Sequence, residues 1–153
     1  MRIVDILEKE AVAHDVRANN KEEVLRELSD LLAVRHPEID KQELVRVLLE
    51  REKLGSTGLE DGVAIPHAKM GGLDKVLAAF GRSRQGLDFE SIDGKPTHMF
   101  FLLIAPENSA GSHLKALARI SKALKEDRFR KRLMEAQDAK SLYGVIAEED
   151  ETL

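Results

Sequence analysis

The stretch Met99-Phe100-Phe101-Leu102-Leu103-Ile104-Ala105 is apolar at every position, so as a strand it has no polar face to turn toward water. Such a strand must be covered on both sides, which a sheet sandwiched between helices provides and a half-solvated antiparallel sheet does not. Helical periodicity flanks it in both chain directions. After Asn20, the residues Val24, Leu25, Leu28, Leu31 and Leu32 fall on one helical face, and Glu23 three residues beyond Asn20 fits a capping box. A second helix opens at Asp40 with Glu43 in the matching place and buries Leu44, Val45, Leu48 and Leu49. It is expected to stop near Gly55, with Arg51 in its last turn. Beyond Pro106, Leu114, Leu117, Ala118 and Leu124 share a side, and helical patterns follow near 127–136 and 138–148. Strand-like stretches run over 11–16, 63–68 and 76–81, and Asp93-Gly94 marks a turn before the apolar strand. Strands gathered between helices imply an α/β layered domain with a mixed sheet flanked by helices.

With 153 residues, 42% of them hydrophobic and 34% charged, the chain suits one domain over residues 1–153, with a core from about residue 3 to 147 and a short acidic C-terminal tail. The absence of cysteine excludes disulfides, thiolate nucleophiles and thiolate-bound zinc. Met1-Arg2-Ile3-Val4-Asp5 meets charge too early for a signal-peptide core, and no apolar run approaches membrane-spanning length. A cytoplasmic protein without direct membrane insertion is therefore expected. The net charge of −4 comes with no basic stripe of the kind that nucleic-acid binding needs.

The chemistry concentrates in Arg51-Glu52-Lys53-Leu54-Gly55-Ser56-Thr57-Gly58, followed through Glu60-Asp61-Gly62 by Val63-Ala64-Ile65-Pro66-His67-Ala68-Lys69. This reads as helix, glycine-rich loop and strand. The loop could turn amides and the hydroxyls of Ser56 and Thr57 toward one anionic group, although loops of this composition commonly just reverse the chain. Pro66 removes a ladder donor immediately before His67 and so places that histidine at a strand edge or end. A neutral imidazole has one bare nitrogen that can attack phosphorus, and the phosphoramidate formed can pass its phosphoryl group onward. Such transfer needs fixed donors around the equatorial oxygens. Arg51 is one candidate. His113, expected in the first turn of the next helix, is the other, and the helix dipole there favours its neutral form. Capping or packing is the simpler reading of His113, and a structural role is the simpler reading of His14, His36 and His98. The basic residues near 122–132 most simply form a solvated helix face.

Taken together, the segments 51–58 and 62–69 resemble the active-site signature of the fructose/mannitol-type enzyme IIA domains of the sugar phosphotransferase system. Similarity extends to Gly86 through Pro96, to Leu103-Ile104-Ala105-Pro106, to His113 through Leu117 and to Arg132 through Ala136. Within that family the chain most resembles the stand-alone nitrogen-regulatory branch. The resemblance implies a three-layer α/β/α fold and a phosphohistidine at His67, charged by an HPr-like phosphocarrier and assisted by Arg51 and His113. Ser56 and Thr57 match the phosphate-binding loop of the family. No cofactor and no metal are implied. Downstream partners would be a separate enzyme IIB or regulatory protein targets. Glu60 and Asp61 depart from the family pattern, since acids beside an incoming phosphate repel it, and they are expected to point outward. Two readings from other classes stand beside the relay: a module that binds partners according to its phosphorylation state, and a zinc hydrolase using His67, His113 and one of Glu60 or Asp61.

Overall fold

The computed structural model describes residues 1–153. A 3-10 turn at Ile3–Asp5 leads into β1 (Leu7–Ala13), α1 (Lys21–Arg35) and α2 (Lys41–Lys53). The short strands β2 (Val63–Ala64) and β3 (His67–Met70) precede the long strands β4 (Leu77–Leu87) and β5 (Thr97–Pro106). Three helices finish the chain: α3 (Ala110–Leu124), α4 (Asp127–Glu135) and α5 (Ala139–Glu151). The sheet is mixed. β1 lies parallel to β4, β4 antiparallel to β5, and β2 and β3 run parallel to β5 along its other edge. α1 and α2 pack together against β1, β4 and β3, while α3, α4 and α5 form a second group against β5, β4 and β1, giving the α/β/α layers.

β5 is the strand that its apolar run requires, buried along nearly its whole length between the helical layers. Edge-to-face aromatic pairs knit it to its surroundings, Phe101 with Phe80 and Phe100 with Phe89. Both helix starts expected from the sequence are capped, with the Asn20 side chain accepting the Glu23 amide at 2.9 Å and Asp40 accepting the Glu43 amide at 3.2 Å. The return arm at the first differs from a strict capping box, because the Glu23 carboxylate takes the Asn19 amide at 2.9 Å instead of the amide of the cap residue.

Several boundaries differ from the sequence reading, each for a physical reason. β1 begins at Leu7 rather than Ala11: Glu8, Lys9 and Glu10 break the apolar pattern, but β1 is an edge strand, where charge is tolerated and discourages pairing with other chains. β4 continues past Gly81 to Leu87, because Arg82, buried at 0% exposure, donates from Nε and Nη1 to the carbonyls of His14, Leu133 and Ala136, which leaves only Nη2 without a partner inside the fold. The acidic end is not a tail. It forms the last turns of α5, and Asp150 is buried.

Candidate functional site

α2 closes when the amides of Leu54 and Gly55 bond back to the carbonyls of Arg51 and Glu52, both at 3.1 Å. Gly55 then takes a φ of +147°, outside the reach of most side chains, and swings the chain into the loop 55–58. Arg51, in the last turn, donates from Nη1 to the Gly55 carbonyl at 2.9 Å, which holds its guanidinium against the end of its own helix.

Across from it, the expected single strand over 63–68 is two short ones. Val63 and Ala64 pair with Met99 and Phe100, and the ladder resumes at His67 opposite Leu103. Pro66 has no N–H to give, and the Ile65 N–H turns to the Thr57 carbonyl at 3.1 Å. His67 therefore opens β3. Its Nδ1 lies 2.8 Å from the Ile65 carbonyl. A carbonyl only accepts, so Nδ1 holds the ring proton and Nε2 is the nitrogen with the free lone pair.

His113 is the fourth residue of α3, its amide bonded to the Ser109 carbonyl at 2.9 Å and its ring 5.6 Å from that of His67, centroid to centroid. Burial pushes its pKa down, and the charge of a protonated His67 and the ammonium of Lys69 push the same way. Its Nδ1 is buried without a partner. A bare lone pair is more tolerable there than an orphaned N–H, which puts the ring proton on Nε2. Arg51, His67, Lys69 and His113 share one open cavity of about 380 Å³ with Glu50, Val47 and Leu54. The charged side chains on the cavity are the cations Arg51 and Lys69 and one carboxylate, Glu50, which lies 3.6 Å from the Lys53 ammonium at the surface. Lys69 was passed over in the sequence. The signal for it was the two-residue spacing from His67, which puts both side chains on one face of a strand.

The other expected site residues go elsewhere. Ser56 donates its hydroxyl to the Phe89 carbonyl at 2.8 Å and accepts the Gly58 amide at 3.0 Å. The Thr57 hydroxyl donates to the Glu52 carboxylate, and Thr57 is buried. Neither residue is among those that line the cavity of His67, and both hydroxyls are engaged in the framework of the loop. Glu60 and Asp61 line a separate cavity with Leu59, Ile92 and Leu124, where Asp61 lies 3.9 Å from Arg130. They face away from His67, as expected. The zinc-hydrolase reading needs one of them beside both histidines, and no group of three His, Asp or Glu side chains is arranged to hold a metal. His98 packs as a structural histidine, its Nδ1 2.9 Å from the Ser83 carbonyl.

Over residues 5–149 the chain matches the family described as the phosphoenolpyruvate-dependent sugar phosphotransferase system, EIIA 2. The chain belongs to this family. A nitrogen regulatory protein of Bradyrhizobium diazoefficiens is 41% identical over 96% of this chain and 95% of its own length. The fructose-specific EIIABC component of Bacillus subtilis is 36% identical over 98% of this chain, which spans 24% of that larger protein. Among solved structures, the nitrogen regulatory protein IIA-Ntr of Neisseria meningitidis superposes with a TM-score of 0.86 at 33% identity, covering 93% of this chain and 97% of that one. The mannitol IIA of Escherichia coli, in complex with phosphorylated IIB, shares the fold at a TM-score of 0.77 and 21% identity, over 94% of this chain and 99% of that one. No helix of this EIIA-family chain is long and apolar enough to cross a membrane.

Proposed function

We propose that this EIIA-family protein accepts a phosphoryl group on Nε2 of His67 from an HPr-like phosphocarrier and works mainly as a nitrogen-regulatory component. The observation that supports this most directly is the Nδ1–H bond from His67 to the Ile65 carbonyl, which fixes the ring and leaves Nε2 as the nucleophile beside Arg51, Lys69 and His113. In the transfer, the P–N bond on the carrier histidine breaks with its electron pair returning to that nitrogen, while the lone pair of His67 Nε2 forms the new P–N bond. Charge on the three equatorial oxygens meets the guanidinium of Arg51, the ammonium of Lys69 and the Nε2–H of His113. No acid or base is consumed. Leu54, on the cavity, and Leu114, next in sequence to His113, are exposed apolar side chains suited to a protein partner rather than a small substrate.

The regulatory emphasis draws on the similarity to nitrogen regulatory proteins along the full chain. A second reading, passage of the phosphoryl group to a separate fructose/mannitol-type enzyme IIB for sugar uptake, is favoured by the similarity to the fructose-specific component. Incubation with phosphoenolpyruvate, enzyme I and an HPr-like carrier, read by intact mass, tests the first step. Wild type should gain one acid-labile phosphate and His67→Ala none. Equal labelling of the variant, or no labelling of wild type with any of several carriers, would remove His67 from this role. Adding a purified IIB to the labelled protein separates the two destinations.

A further inference from the structure

Glu52 is a carboxylate buried next in sequence to Arg51, its side chain 4% exposed, and the transfer chemistry makes no use of it. Burying a carboxylate is costly unless its lone pairs are filled, and here three donors fill them. The Thr57 amide approaches at 3.1 Å, the Thr57 hydroxyl donates, and the Lys21 ammonium sits at 3.0 Å. Lys21 in turn lies 5.0 Å from the centroid of the Phe89 ring, and the Phe89 carbonyl takes the Ser56 hydroxyl. The loop 55–58 is thus clamped to the end of α2 through one charged group.

What the clamp holds is the peptide that orients His67. At Ile65 and Pro66 the sheet offers no grip on the strand's donors, since Pro66 has none and the Ile65 N–H goes to the Thr57 carbonyl at 3.1 Å. The carbonyl of that same Ile65 receives Nδ1–H of His67 at 2.8 Å. The Gly55 carbonyl, in the same loop, receives Arg51. A continuous path therefore runs Lys21, Glu52, Thr57, Ile65, His67, with Arg51 attached to the loop it passes through. We propose that Glu52 is a positioning residue for phosphoryl transfer at His67, acting through Thr57 and Ile65 to hold the imidazole in its Nδ1–H tautomer and Arg51 beside it. The inference rests on the reading of His67 as phosphoryl acceptor, but its geometric half can be read without any phosphate.

The test uses the full chain as wild type, Glu52→Gln, Thr57→Val and Thr57→Ser. Initial rates of phosphoryl uptake are measured over a range of phosphorylated HPr-like carrier concentrations. ¹⁵N spectra of the histidine rings are recorded on the unphosphorylated proteins at neutral pH. Thr57→Val and Glu52→Gln should lower the maximal rate by about tenfold or more while leaving the half-saturating carrier concentration close to wild type, because alignment and not docking is disturbed. In both, His67 should lose its pure Nδ1–H signature and show averaged tautomers, whereas Thr57→Ser should restore rate and signature together. A simple loss of stability lowers the maximal rate only in proportion to the folded fraction, so rates are taken per folded protein, and it does not move the ring signature of the protein that remains folded. If Glu52→Gln does not fold, Thr57→Val decides, since it leaves the Lys21 pair and the Thr57 amide bond in place. Wild-type maximal rates and wild-type ring spectra in folded variants overturn the proposal. If wild type takes up no phosphate, or His67→Ala is labelled equally, the relay reading is what fails, and the ring spectra still decide whether Glu52 holds His67.

Discussion

A histidine kept neutral by its surroundings couples charge to stability, and His113 has a definite sign. Its folded pKa lies below the ordinary value near 6.5, chiefly through burial, then through His67 when that ring is protonated and through the ammonium of Lys69. The unfolded chain therefore binds the proton more readily. The stabilising contribution of the neutral ring is fully present above about pH 6.5 and is lost as pH falls through the depressed folded value. Between about pH 7.5 and pH 5 the urea midpoint of wild type should drop further than that of His113→Gln, which has nothing to titrate there. Parallel midpoints would remove the charge argument. Phosphorylation reverses the field: a phosphoryl dianion on His67 should raise the His113 pKa, visible as a shift of its ring-proton titration to higher pH. Of the candidate site, the placement of His67, Arg51 and His113 on one cavity was legible in the sequence because each position is fixed by a local rule: a proline before a strand, the last turn of a helix, the first turn of the next. The hydroxyls of Ser56 and Thr57 were not, because their partners, Phe89 and Glu52, are set by the path of the folded chain, and a short polar side chain gives no sign of which way it will turn.

At the scale of elements, the question is how closely α1 can approach the sheet. A Cβ added at Gly81 of β4 would stand 2.7 Å from Cγ2 of Val16 and 3.0 Å from Cδ2 of Leu28, the latter at the buried face of α1. The helix rests on the strand at a point where no side chain fits. Gly81→Ala should therefore cost about 1–3 kcal/mol of stability by overpacking, measurable by urea denaturation, while His67, on the other side of β5, keeps its phosphoryl uptake. A cost near zero would mean that α1 can lift without penalty. Sequence pattern found α1, α2 and β5 well, because amphipathic spacing, caps and an unbroken apolar run are each sufficient alone. It cut β4 short at Gly81 and merged β2 with β3. In both cases the decisive interactions are nonlocal: the carbonyls of His14, Leu133 and Ala136 accept the Arg82 guanidinium, and the Thr57 carbonyl takes a donor that the strand pattern had given to the sheet.

Across the whole molecule, first and last elements are joined by a single carboxylate. Asp150 in α5 accepts the Val4 amide at 3.1 Å and Nε of Arg119 at 2.8 Å, and the Arg119 guanidinium also reaches the Asp150 carbonyl at 2.7 Å. Burial would raise its pKa, but the amides of Ile3 and Val4 together with Arg119 more than offset this and hold it below the usual carboxylate value. A carboxylate depressed in the folded state stabilises fully above its unfolded pKa, near 3.9, and loses that contribution as pH falls through the folded value. Asp150→Asn keeps the shape but gives up the charge and replaces an acceptor oxygen with a donor facing amides. It should cost about 2–3 kcal/mol at neutral pH, with the gap from wild type narrowing as pH falls below about 4. Arg119 lies on the same helix as His113, six residues or about 9 Å along its axis, so the clasp bears on how α3 is seated as well as on global stability. If the sheet and α2 alone align the site, folded Asp150→Asn should melt earlier yet take up phosphate at the wild-type maximal rate. A fall in that rate well below the melting range would mean that α3, and His113 with it, is held in place from the far end of the chain.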